Sequence, residues 1–147
     1  MDSPSKPLHS AGFTLIEAMI VVAILAIIAV IALPSYNDNV QASRRANCVA
    51  VLEEARQGVE RYFAKNFTYV GVAGGTPGGV GVDFPNKAPK TGSDVYCNIT
   101  ASDLTETTYT LTAAVAGAQS TDKCGDLSVT NAGIRTSSSG LTVDECF

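Results

Sequence analysis

Glu17 is the residue that most needs a chemical explanation. It is the one ionisable side chain in the run Phe13 to Leu33, 21 residues that are otherwise apolar except for Thr14. As a helix that run measures about 32 Å, enough to cross the hydrocarbon core of a bilayer. A carboxylate in such a span costs a few kcal/mol and usually has a partner. The run contains no Lys, Arg or His, so a partner must come from outside it. A secretory signal peptide would have a shorter apolar region and an Ala-x-Ala cleavage site. Here Pro34-Ser35-Tyr36-Asn37 follows instead. A plain membrane anchor accounts for the length and gives Glu17 no purpose.

Other chemistry finds little support. The only histidine is His9, ahead of the apolar run, and there is no Gly-x-Ser-x-Gly elbow, so an enzyme is not expected. The segment GVAGGTPGGVG, 71–81, lacks the spacing and the Lys-Ser/Thr ending of a phosphate loop and reads as a flexible connector. Cys48, Cys97, Cys124 and Cys146 are too widely spaced for a CxxC zinc knuckle. An even number of them beyond an apolar segment predicts two disulfides in an exported domain, with three pairings open. Asp122, Asp126, Asp144 and Glu145 are the one set of carboxylates that could gather around calcium, and they lack EF-hand spacing. No metal and no cofactor are expected. The net charge is −4, and Lys65, Lys87, Lys90, Lys123 and Arg135 are scattered among acids, which counts against a nucleic-acid partner. Arg44-Arg45 is the only basic doublet, and it is expected to pair with acidic residues of neighbouring molecules.

These residues must be positioned by a long helix and a sheet. After Ser35 the apolar residues Val49, Leu52, Ala55, Val59, Tyr62 and Phe63 recur on one helical face, while Glu53, Glu54, Gln57, Glu60, Arg61 and Lys65 take the others. Joined to the apolar run, this helix exceeds 50 residues, roughly 80 Å. Pro34 lies inside it and predicts a kink or local melt one turn upstream. Strands are predicted at Val95–Thr100, Thr107–Val115, Leu127–Thr130 and Ile134–Thr136. Tyr109, Leu111, Ala113 and Val115 alternate with Thr110, Thr112 and Ala114, as a half-buried strand requires. Turns are predicted at Asn131-Ala132-Gly133 and from Ser137 to Gly140. The fold class is α+β, a long N-terminal helix packed on an antiparallel sheet of about four strands.

Gly12-Phe13-Thr14-Leu15-Ile16-Glu17, followed by the apolar run, resembles the class III signal of type IV pilins and pseudopilins. The resemblance implies that a prepilin peptidase cuts after Gly12 and methylates the new amine of Phe13. It implies that Glu17 meets the Phe13 amine of a neighbouring subunit during assembly. Physically, pairing that cation with Glu17 would relieve a charge that the span itself cannot satisfy. Loss of residues 1–12 removes Asp2 and Lys6 and leaves the charge at −4. Further along, Tyr62-Phe63-x-x-Asn66-x-x-Tyr69, then Asp122-Lys123-Cys124-Gly125-Asp126-Leu127 with Gly133, Cys146 and Phe147, resembles PilE-like minor pilins of type IVa pili. Similar pilins close a C-terminal loop with the last cysteine pair, which implies Cys124–Cys146 and Cys48–Cys97. In the chain-entropy picture such loops contribute roughly 3 and 4 kcal/mol respectively.

The resemblance implies a leader at 1–12, a transmembrane and filament-core half-helix at 13–34, and a periplasmic or surface head at 35–147. Within the head, the helix takes 35–66, the connector 67–93, and the sheet with its disulfide loop 94–147. The implied function is that of a structural subunit, a minor pilin built into or priming a filament for twitching motility and adhesion. A major pilin, a type II secretion pseudopilin and a DNA-uptake receptor pilin are the alternatives. Implied partners are other pilin subunits, the prepilin peptidase, the inner-membrane assembly platform and, before assembly, membrane lipid. The charge rule leaves topology open, since Lys6 and His9 precede the span and Arg44 and Arg45 follow it. The resemblance puts the N-terminus in the cytoplasm, the unassembled subunit in the inner membrane and the assembled one in the extracellular pilus.

Overall fold

Helix α1 (Leu15–Asn66) forms because 52 residues contain no helix-breaking cluster and begin on a hydroxyl cap. The Glu17 backbone N–H donates to Thr14 Oγ1 at 3.3 Å, satisfying one of the unpaired donors of the first turn. The computed structural model describes residues 13–72 and 84–147. The leader at 1–12, with Gly12, and most of the connector expected at 71–81 lie outside the described residues. Helix α1 runs without a break from Leu15 to Asn66 and carries Pro34, the position of the expected kink or local melt, inside it. The proline removes one hydrogen bond, to the Val30 carbonyl, and the turns on either side hold the helix together.

The chain divides into two compact units, Met1–Asp38 and Asn39–Phe147. In the first, every described residue is exposed. In the second, α1 buries Cys48, Val51, Leu52, Ala55, Gly58 and Val59, a face set by the three- and four-residue spacing of the apolar positions. That face shares one core with Ile99, Leu111, Ala113, Leu127 and Val129 from the sheet.

The sheet has five strands, one more than expected: β1 (Lys87–Ala88), β2 (Cys97–Ser102), β3 (Thr110–Val115), β4 (Leu127–Thr130) and β5 (Arg135–Ser137). They lie in the order β1-β2-β3-β4-β5, each antiparallel to the next. Strand β1 falls inside the span assigned to the connector, because two residues between Pro85 and Pro89 carry no readable alternation. Strand β3 starts three residues later than its sequence pattern suggests. The Thr105 hydroxyl accepts hydrogen bonds from the backbone N–H groups of Thr107 and Thr108 and holds them in a turn. Burial alternates as the period of two demands, with Cys97 and Ile99 in the core and Asn98 and Thr100 exposed. A short helix α2 (Val143–Cys146) ends the chain, and its first turn is held by Glu145, which accepts from the Thr142 N–H and hydroxyl.

Candidate functional site

Two places hold the residues singled out in the sequence, one in each unit. In the N-terminal unit, Phe13 is 79 % exposed and Thr14, Leu15, Ile16 and Glu17 are all exposed. Glu17 occupies the third position of α1, so its carboxylate stands at the positive end of the helix macrodipole. Thr14-x-x-Glu17 has the spacing of a capping box, a signal readable in the sequence but overshadowed by the carboxylate itself. The large side chains from Leu15 to Leu33 are exposed around the whole helix, which is long and apolar enough to cross a membrane. Among the described residues nothing covers them.

In the C-terminal unit, the chemistry gathers around a buried ion pair. Arg45 reaches from α1 to Asp122, with Nη2 to Oδ2 at 3.0 Å and Nε to Oδ1 at 3.0 Å. The Asp122 side chain is 1 % exposed. Its remaining acceptor capacity is taken by the Cys124 N–H at 2.8 Å and by Gln119 Nε2 at 2.5 Å. Gln119, fully buried, also donates to the Gln41 carbonyl, and Arg45 Nη1 donates to the Glu145 carbonyl. This corrects the expectation that Arg44-Arg45 serves acidic residues of neighbouring molecules. Arg45 is spent inside its own chain, and Arg44 lies over the Tyr96 ring at 5.1 Å and donates to the Ala118 carbonyl at 3.5 Å. Sequence reasoning missed the Arg45–Asp122 clamp because the two residues are 77 positions apart and no local pattern links them.

The structure bonds Cys124 to Cys146, with Cα atoms 5.7 Å apart, and Cys48 on α1 to Cys97 at the start of β2, with Cα atoms 6.0 Å apart. The first closes a 22-residue loop beside the clamp, and the second pins helix to sheet. The four carboxylates weighed for calcium have separate tasks. Asp122 holds Arg45, Asp126 Oδ1 accepts from the Val115 N–H at 2.9 Å, and Glu145 caps α2. The Thr142 hydroxyl and backbone N–H hold the Glu145 carboxyl below its usual range. No group of three or more potential metal ligands occurs among the described residues.

A second, partly buried cluster joins α1 to Tyr69 and to Tyr109, the residue before β3. Glu60 accepts from the Tyr109 hydroxyl at 2.7 Å and from the Tyr69 hydroxyl at 3.2 Å. Burial, followed by the bond to Glu60 and its charge, pushes the Tyr109 phenol far above its ordinary value. Tyr69 shifts the same way, through burial, the Glu60 charge and then the hydrogen bond. Phe63 stacks on Tyr69 at 4.5 Å, and Tyr69 meets Tyr109 edge-on at 4.7 Å.

Comparison with known proteins falls on both units. The family model described as "Type IV minor pilin ComP, DNA uptake sequence receptor" matches residues 34–128, and the prokaryotic N-terminal methylation motif matches residues 8–33. Among curated relatives, a fimbrial protein of Neisseria meningitidis serogroup A is 38 % identical over 71 residues, 44 % of this chain and 42 % of that protein. Type IV major pilin protein PilE1 of Neisseria gonorrhoeae is 38 % identical over 68 residues, 42 % of this chain and 41 % of that protein. Fimbrial protein Q of Moraxella bovis is 47 % identical over 49 residues, 33 % of this chain and 31 % of that protein. The chain thus spans about two-fifths of the length of the Neisseria proteins it matches. A solved type IV pilin from Shewanella oneidensis superposes with a TM-score of 0.46 at 19 % identity, covering 73 % of this chain and 97 % of that one. With its methylation motif followed by a family match over more than half of its length, the chain belongs to the ComP family of type IV minor pilins.

Proposed function

We propose that this protein is a minor structural subunit of a type IV pilus. One observation carries the reading: every residue from Phe13 to Asn39 is exposed in a chain whose C-terminal unit already has a complete core. Apolar surface of that extent must be covered by something else. A bilayer covers it first, with the N-terminus in the cytoplasm and the head outside the inner membrane. Other pilin subunits cover it after assembly.

In this reading a prepilin peptidase cuts after Gly12 and methylates Phe13, and the assembly platform then draws the subunit out of the lipid. Glu17 meets the Phe13 amine of a neighbour and sets the register. Pro34 marks the place where the helix bends or loosens as subunits pack. The role is structural rather than enzymatic. Replacing Glu17 with Ala tests the pairing, since cleavage should proceed while incorporation into sheared surface fibres falls. Normal incorporation of Glu17→Ala would contradict it.

A second role is favoured by the family description, that of a receptor for DNA. Among the described residues Arg61, Lys65 and Lys123 form no ion pair and no side-chain hydrogen bond, so some positive charge remains for a polyanion. Duplex binding that weakens steeply with salt would support this role, and salt-independent or absent binding would remove it.

A further inference from the structure

The end of α1 combines a strained backbone with an exposed aromatic ring. Helix α1 stops at Asn66, and the next residue closes it: the Phe67 N–H donates to the Phe63 carbonyl at 2.8 Å. Phe67 stands in the left-handed region at φ 57°, where helices usually place glycine or asparagine. A bulky side chain there is strained, and such strain is normally offset by packing. Phe67 has none to offset it, because it is 80 % exposed. The neighbouring aromatics behave in the opposite way. Phe63 and Tyr69 stack on each other, Tyr69 is buried and Tyr62 is half-buried.

The backbone around the ring is fastened, so its exposure is a fixed feature. The Tyr62 hydroxyl donates to the Val70 carbonyl at 3.2 Å, and the Tyr69 N–H donates to the Thr105 carbonyl at 3.2 Å. Asn66 Nδ2 donates back to the Tyr62 carbonyl, and the Val70 N–H donates to Thr68 Oγ1. Arg61 and Lys65, two of the three described cations without a partner, stand four residues apart on the same face of this last stretch of helix. At that spacing like charges repel. The helix macrodipole explains a cation near the C-terminus, but it explains neither the second cation nor the aromatic at a strained position.

An exposed ring that directly follows a stretch of helix with two unspent cations suits a ligand with both π-faces and negative charge. We propose that Phe67 is an apolar wedge that enters between stacked bases of duplex DNA while Arg61 and Lys65 hold the flanking phosphates. This rests on the DNA-receptor reading above and names the residues that would deform the duplex.

The test uses the detergent-solubilised full chain, sheared chromosomal DNA of the source organism, and permanganate, which oxidises unstacked thymines. The unaltered protein should bind with salt-dependent affinity and raise thymine reactivity. Phe67→Ala should weaken binding about 5- to 150-fold, the range for loss of one base–aromatic stack, and should abolish the enhanced reactivity without changing the salt slope. Arg61→Gln with Lys65→Gln should lower the salt slope by close to two. Phe67→Gly separates recognition from folding, because it relieves the backbone strain: it should match or exceed the parent in Tm while losing the permanganate signal. A lower Tm for Phe67→Gly would make the ring structural and overturn the proposal. So would unchanged DNA affinity of Phe67→Ala, whether or not that variant still enters pili. If the unaltered chain binds no DNA, the receptor reading itself fails, and the wedge fails with it.

Discussion

The two units of this chain use the same helix type for opposite ends. Up to Asp38 the residues of α1 are exposed on every side, whereas from Cys48 to Val59 one face is buried and the other is polar. The ionisable groups follow the same division. Among the described residues Glu17 has no side-chain partner of opposite charge, while Arg45, Glu53, Glu54 and Arg56 are all in ion pairs. The first unit is therefore unfinished as a monomer, and the second is self-sufficient. Under the proposed function, a subunit that leaves a membrane and enters a polymer needs both properties, and they can be perturbed separately.

The largest effect should come from breaking the self-sufficient unit at its clamp. Asp122→Ala leaves the Arg45 guanidinium, with a side chain 12 % exposed, without its carboxylate, and loss of one partner of a buried pair costs about 3–5 kcal/mol. Urea unfolding should show that loss, and a change under 1 kcal/mol would mean that the clamp contributes little. Joint replacement of Arg45 and Asp122 by apolar residues of similar volume should recover much of the stability.

A smaller effect tests the tyrosine cluster. Tyr109→Phe removes the hydroxyl from the half-buried Glu60 carboxylate and should cost about 1.5–3 kcal/mol, as expected for a hydrogen bond to a charged group. The pH dependence follows from the raised phenols of Tyr109 and Tyr69. The folded state favours their protonated forms, so their contribution is fully present below the ordinary tyrosine value of 10.0 and is lost as pH climbs above it. Unfolding free energy should therefore fall from about pH 10 upward, and more steeply in the parent than in Tyr109→Phe. Neither variant should change cleavage or methylation at the N-terminus, since the perturbation stays in the second unit.

Legibility in the sequence divides along similar lines. The buried face of α1 and the alternation of β3 and β4 follow directly from periods of 3.6 and 2, and strand β4 has the predicted bounds. Strand ends shifted where threonine hydroxyls captured backbone donors, an interaction that depends on local geometry and leaves no periodic trace. Strand β1 was hidden because two residues are too few for a pattern. The clamp was illegible because contacts between positions 45 and 122 arise only once the fold has formed. Phe67 illustrates the reverse case. Its hydrophobicity predicts burial, and only the structure places it at a strained position, exposed.

Under the proposed function, this chain is processed at Gly12 and polymerised through the unit that begins at Phe13. The most direct measurement is the mass of the N-terminal peptide of the protein recovered from sheared surface fibres. The expected result is a chain that starts at N-methylated Phe13. An intact leader, a start near Pro34, or absence of the protein from the fibres would contradict it.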